Sequence, residues 1–263
     1  MSKKLTISTI IKSKGLKPLV MITAYDALFA RLLSDSADMI LVGDSLNMSF
    51  AGKSDTISAT LEQMIYHTNA VCSGAPNSFV VCDMPFGTYT DTDKALQNSI
   101  KVFQETNADC VKIEGGSDKA HIVKHLTSNA IAVCGHIGLL PQSVRSEGGY
   151  KVKGKTADEK TALIEDAKAI EEAGAFCMVV EGVKADVAKS IAESVNIPVI
   201  GIGAGVDVDG QVLVFSDMLG LFEEFTPKFV KKYMDGASLV RSSVQEYAKE
   251  VQSREFPKEE HTY

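Results

Sequence analysis

The chain has 263 residues, 45% hydrophobic and 23% charged, with a formal net charge of −7. That length suits one (β/α)8 barrel, which takes about 250 residues, and the composition is that of a globular domain able to bury a sizeable core. The acidic balance excludes the basic footprint of a nucleic-acid or anionic-membrane binder, leaves small anionic substrates open, and is accompanied by no apolar run near the ~20 residues that span a bilayer.

After the basic start Met1-Ser2-Lys3-Lys4-Leu5 the apolar stretch is too short and broken for a signal peptide, so a soluble cytoplasmic protein is expected. The first strands are read at Leu19–Thr23 and Met39–Val42. Thr60-Leu61-Glu62-Gln63 has the capping-box pattern that opens a helix, and Phe79–Cys82 follows as a strand. Asp91–Thr106 reads as helix, Cys110–Ile113 as strand, Ser117–Ser128 as helix and Ile131–Cys134 as strand. Ser143–Lys155, with Gly148, Gly149 and Gly154, is a polar excursion suited to a lid or an oligomer contact. The helix Ala157–Ala173 ends at Gly174, a natural C′ residue. Strand Phe176–Val180, helix Lys184–Ser194, strands Val199–Ile202 and Val212–Phe215, and helix Ser238–Ser253 complete the chain.

Strands that are nearly continuous apolar runs are buried on both faces, and strand–helix alternation means a parallel sheet. Eight strands in this length favour a closed barrel over an open doubly wound sheet. The expectation is a single (β/α)8 TIM barrel domain over residues 1–263. The five cysteines, Cys72, Cys82, Cys110, Cys134 and Cys177, form no C-x-x-C pair. They read as reduced core thiols rather than zinc ligands.

In such a barrel the C-terminal strand ends converge on one site. Here they carry Asp26, then Asp44 and Ser45, then Asp83, then Lys112 and Glu114, then His136, then Glu181. One charged residue after an apolar run is usually a helix cap or a solvated loop; six consecutive strands ending so are harder to dismiss. Asp44, Asp83 and Glu114 offer hard oxygen ligands from three neighbouring strands, and close like charges call for a cation. Mg2+ suits them. It would hold a 2-oxo acid and stabilise the enolate formed on deprotonation. Lys112, two residues before Glu114 and on the same strand face, would pair with a substrate carboxylate or form a Schiff base; the carboxylates around it favour the charged form. Glu181, after so apolar a run, suits either a general base or a salt-bridged strand end. His136 is either a hydrogen-bond donor in the site or a satisfied buried histidine. His67, His121 and His125 fall in helical segments and read as structural.

Several motifs together resemble one family. They are Ile22-Thr23-Ala24-Tyr25-Asp26, Gly43-Asp44-Ser45-Leu46, Asp83-Met84-Pro85-Phe86, Val111-Lys112-Ile113-Glu114-Gly115-Gly116, Gly135-His136-Ile137-Gly138-Leu139, Pro141-Gln142-Ser143, Gly148-Gly149-Tyr150-Lys151-Val152 and the run from Ile197 to Gly205. In this order they look like the ketopantoate hydroxymethyltransferase family, from about Thr23 to the tail Glu259-Glu260-His261. The resemblance implies a Mg2+-dependent barrel enzyme of pantothenate synthesis that forms homo-oligomers, often decamers. It implies transfer of a hydroxymethyl group from 5,10-methylenetetrahydrofolate to 3-methyl-2-oxobutanoate, giving 2-dehydropantoate. By resemblance Asp44 and Asp83 are metal ligands, with Glu114 a third that binds directly or through water. Asp44, Ser45, Asp83 and Lys112 contact the 2-oxo acid, and Glu181 is the proton acceptor. Asn47 stands where the family has glycine; asparagine tolerates positive φ, so the loop is expected to be kept. Two other readings compete. One is a Mg2+-dependent carbon–carbon lyase of the phosphoenolpyruvate mutase and isocitrate lyase type, against which the excursion Ser143–Lys155 lacks a cysteine. The other is a non-catalytic metabolite-binding barrel, against which the acidic set is complete.

Overall fold

The computed structural model describes residues 4–263; Met1, Ser2 and Lys3 of the basic N-terminal run lie outside the described residues. Eight parallel strands close into a barrel in sequence order: β1 Leu19–Thr23, β2 Met39–Val42, β3 Phe79–Asp83, β4 Cys110–Glu114, β5 Val133–Gly138, β6 Cys177–Glu181, β7 Val199–Ile202 and β8 Gly210–Leu213. β1 pairs with both β2 and β8, which closes the ring. The helices Ala27–Leu33, Leu61–Gly74, Thr92–Glu105, Ala120–Ser128, Ala157–Glu172 and Ala185–Ser194 follow the first six strands. Asp26, Thr60, Asp91 and Thr156 cap four of them through side-chain oxygens, supplying acceptors that a helix N-terminus lacks.

The interior is apolar at one level and polar at the next. Met21, Met39, Leu41, Phe79, Val81, Cys110, Cys134, Cys177, Val179, Ile200 and Val212 form one buried cluster, joined by Ile10 of the N-terminal helix Ile7–Lys12. Strand side chains alternate between faces. Two residues beyond Val81, Cys110, Cys134 and Val179 stand Asp83, Lys112, His136 and Glu181, so these share the inward rows with the core. Glu114 is one further step along the row of Lys112. All five cysteines are buried and unpaired with one another in disulfides.

β1, β2 and β7 match the sequence expectation; β3 and β4 run one residue further, to Asp83 and Glu114, β6 is shifted by one to Cys177–Glu181, and β5 and β8 differ more. β5 begins at Val133 and runs on to Gly138, past the expected end at Cys134. Its later residues, Gly135 and His136, are not apolar, yet the pairing continues through Ile113 with Gly135 and Glu114 with His136. Gly135 has a packing reason: a Cβ there would lie 2.5 Å from Ile170 Cγ2 on the helix Ala157–Glu172. β8 starts at Gly210 rather than Val212, because Gly210 pairs with both Leu19 and Ile200. A Cβ at Gly210 would lie 2.5 Å from the Leu19 carbonyl oxygen. Phe215, expected to end that strand, opens a short helix, Phe215–Met218.

The contacts group into two compact units, one ending at Val214 and one spanning Phe215–Tyr263. The second contains the long helix Gly236–Ser253, whose Arg241 makes a two-pronged bond to Glu223 at 2.7 and 2.6 Å. No helix among the described residues is long and apolar enough to cross a membrane. The close approach at β5 makes a stability prediction. Gly135→Ala forces Ile170 to shift and is expected to cost about 1–3 kcal/mol, as overpacked sites do. Urea unfolding measures it, and an unchanged midpoint would contradict the contact.

Candidate active site

Asp44 follows β2 after Gly43, Asp83 ends β3, Lys112 and Glu114 lie on β4, His136 lies on β5 and Glu181 ends β6. The backbone N–H of Asp44 donates to Asp83 Oδ2 at 3.3 Å. Lys112 Nζ lies 2.7 Å from Asp83 Oδ1 and 3.7 Å from Glu114 Oε1. His136 Nδ1 is 3.2 Å from Lys112 Nζ and 3.5 Å from Glu114 Oε1, and its Nε2 is 3.3 Å from Glu181 Oε2. The structure thus brings together Asp44, Asp83, Lys112, Glu114, His136 and Glu181. The first five are at most 4% exposed; Glu181 is partly open to solvent. Ser45 is next to Asp44, with its Oγ 2.8 Å from the Tyr25 hydroxyl. Asp26 does not join the group: it caps the helix Ala27–Leu33, accepting from Phe29 N at 2.8 Å.

Burial in low dielectric disfavours charge, and the cluster shows it. Burial, then the neighbouring Asp83 and Glu114, push the Asp44 carboxyl well above the usual range. Burial also raises Asp83 against the pull of Lys112. Glu114 goes the other way: burial would raise it, but His136 and Lys112 hold it low. For Lys112 burial opposes the charge, and Asp83, Glu114 and Asp44 overcome it, so the ammonium is retained. At His136 burial and the Lys112 charge press downward, yet the contacts with Glu114 and Glu181 win and raise it to about 9. The Lys112 contact suits an unprotonated Nδ1 and the Glu114 contact a protonated one. With four carboxylates against one fixed ammonium, the protonated ring is the form the surroundings favour.

The residues the strand-end reading missed are uncharged. Gln142, in the turn Pro141–Ser143 after β5, is buried. Its side-chain amide donates to Asp44 Oδ2 at 2.9 Å and to the Met84 carbonyl at 3.0 Å, while its backbone N–H donates to Glu114 Oε2 at 3.1 Å. Tyr89 donates its hydroxyl to Gln142 Oε1 at 2.5 Å. Pro141-Gln142-Ser143 is a resemblance motif, but a neutral loop amide carries no signal of its own. Tyr25 is held at its backbone oxygen by His67 Nδ1 at 2.6 Å, a structural use of that histidine. Asn47 needs no positive φ: it lies in the short helix Leu46–Ser49, and its buried amide donates to Asp55 O at 2.7 Å and Ser58 Oγ at 3.0 Å.

The excursion after β5 reaches across this group. Arg145 Nη2 pairs with Asp55 Oδ2 at 2.8 Å, and Tyr150 donates to Met48 Sδ at 3.6 Å, both beyond β2. Its far end bonds beyond β6, Lys153 N donating to Gly182 O at 2.8 Å. As they stand, no three His, Cys, Asp or Glu side chains among the described residues are set to hold a metal ion; the carboxylates are gathered about the Lys112 ammonium instead. The donor set still fits a hard divalent cation. Glu114 Oε1 is buried without a hydrogen bond, and Asp44, Asp83 and Glu114 exceed the one lysine in charge.

The sequence matches the family model for ketopantoate hydroxymethyltransferase over residues 4–259. It is 76% identical, over all of both chains, to the 3-methyl-2-oxobutanoate hydroxymethyltransferase of Sulfurimonas denitrificans. It is 67% identical to that of Aliarcobacter butzleri, covering 99% of this chain and 97% of the relative. Among solved structures, 2,3-dimethylmalate lyase, a PEP mutase/isocitrate lyase superfamily member, aligns with a TM-score of 0.59 at 15% identity, over 97% of this chain and 91% of that one. That likeness is one of fold, whereas the sequence matches are of family. The chain belongs to the ketopantoate hydroxymethyltransferase family.

Proposed function

We propose that this enzyme transfers a hydroxymethyl group from 5,10-methylenetetrahydrofolate to 3-methyl-2-oxobutanoate, giving 2-dehydropantoate on the route to pantothenate, with Mg2+ as its resident cation. The observation that carries the reading is the excess of buried carboxylates over the single ammonium of Lys112, in a chain of this family. Asp44 and Asp83 would hold the metal, and Glu114 would do so directly or through a water. A bound Mg2+ would polarise the keto oxygen of the 2-oxo acid and make its C3 proton removable.

The chain's own residues do the rest. Lys112 presents a fixed positive charge to the substrate carboxylate. Ser45, its hydroxyl held by Tyr25, orients the acid. Glu181 takes the C3 proton, and His136 beside it restrains the carboxylate and stabilises its charge. The enolate carbon forms a bond to the one-carbon unit and a water supplies its hydroxyl oxygen; both carbon–nitrogen bonds of the folate methylene break, each nitrogen keeping its electron pair, and the two nitrogens take up the proton held by Glu181 and one from the water. The excursion from Ser143 to Lys155 covers the group and keeps bulk water from the enolate. The carbon–carbon lyase reading has only the shared fold behind it, and the non-catalytic reading has nothing.

Two predictions follow from these roles. In deuterium oxide the wild type should exchange the C3 proton of 3-methyl-2-oxobutanoate only with Mg2+ present. In Glu181→Gln the exchange should fall by about 10²–10⁴, the usual worth of a general base. Undiminished exchange removes Glu181 from that role, and failure to form 2-dehydropantoate with the folate donor removes the function. The second concerns pH. The folded His136 value of about 9 lies above the ordinary 6.5, so its contribution to stability is complete below about pH 6.5 and is lost as pH rises through 9. The unfolding midpoint of metal-free protein should therefore fall between those limits, and His136→Gln should remove that fall; an equal fall in the variant assigns it elsewhere.

A further inference from the structure

We infer that Gln142 is a positioning residue for the cation site, fixing one oxygen of Asp44 and one of Glu114 so that their other oxygens are left for the metal. The inference rests on the proposed cation site and names what holds that site in shape. A side-chain amide has two N–H donors and one acceptor oxygen, and all are used here. The Met84 carbonyl can only accept, so the NH2 end must face it, and Asp44 Oδ2 lies within reach of the same nitrogen. The oxygen then faces Tyr89, whose hydroxyl donates to it. The backbone N–H of the same residue holds Glu114 Oε2. One buried residue thus ties together the segments carrying Asp44 and Glu114 and the residue after Asp83. Glu114 Oε1 remains buried and without a hydrogen bond, and Asp44 Oδ1 takes no part in these bonds.

The residue type follows from this arrangement. A glutamate would set a fourth carboxylate against Asp44, and a leucine would fill the space with no donor. Neither reproduces two donors and an acceptor at one point. Groups that orient metal ligands typically change metal affinity or activity by about 10–100-fold when removed. A merely structural amide would alter stability and leave the affinity alone.

The probe is Mn2+ titrated into metal-free protein without substrate, followed by calorimetry and by loss of the free-ion paramagnetic resonance signal. Gln142→Leu is expected to weaken Mn2+ binding by about 10–100-fold. Tyr89→Phe, which keeps the amide but removes the bond orienting it, is expected to weaken it in the same direction by less. Ile10→Ala opens a cavity in the barrel core and touches none of the carboxylates; it should keep wild-type affinity. An affinity for Gln142→Leu within threefold of wild type overturns the inference, as does a loss in Ile10→Ala equal to that in Gln142→Leu. If Gln142→Leu does not fold, Tyr89→Phe decides, and unchanged binding there overturns the inference. Absence of Mn2+ binding in the wild type removes the cation site itself, and the inference with it; wild-type binding with an indifferent Gln142→Leu leaves the proposed function standing.

Discussion

Among the described residues, Lys112 is the one fixed positive charge set against Asp44, Asp83 and Glu114, and the polar group in the barrel is organised around it. Taking carboxylates out of water costs several kcal/mol each, and one ammonium cannot offset that for the buried Asp44, Asp83 and Glu114. The group answers in the ways its surroundings allow. Asp44 and Asp83 are pushed toward the neutral acid, His136 toward the charged ring, and Gln142 spends its donors on the remaining lone pairs. An arrangement that leaves a buried oxygen of Glu114 without a hydrogen bond is a poor device for stability. The proposed function gives it a use, the binding of a hard cation and an anionic 2-oxo acid at one place.

The barrel supplies the rigidity that such a group requires. The same inward rows that carry Val81, Cys110 and Cys134 in the apolar core carry Asp83, Lys112 and His136 one step further. The acids and the lysine are therefore placed by strands whose register is set below them, by side chains packed in the barrel interior. The elements that need adjustment lie outside the strands. The turn at Gln142 and the excursion to Lys155 are held on both flanks, by the Arg145–Asp55 ion pair on one and by the Lys153 backbone N–H donating to Gly182 O on the other.

Much of this was legible in the sequence because a strand buried on both faces is an apolar run, and a charged side chain at its end interrupts that run. Asp83, Glu114 and Glu181 stand out for that reason. β5 was truncated in the reading because Gly135 and His136 break the apolar pattern while continuing the strand, the glycine for the sake of Ile170. β8 was displaced because Gly210, its first residue, is chosen for close backbone packing. Gln142 and Tyr89 were hidden because neutral polar residues in connecting segments are common, and only the folded chain brings Gln142 within bonding reach of Asp44, 98 positions away. Asn47 was read through its tolerance of positive φ, while its actual use is a pair of amide bonds to Asp55 and Ser58.

The central claim is that a divalent cation belongs among these carboxylates. Crystals of the protein grown with Mn2+ and measured for anomalous scattering test it most directly. The account predicts an anomalous peak in contact with Asp44 and Asp83, with the Lys112 ammonium drawn away from Glu114. A map with no peak there, and Lys112 still bridging Asp83 and Glu114, would contradict it.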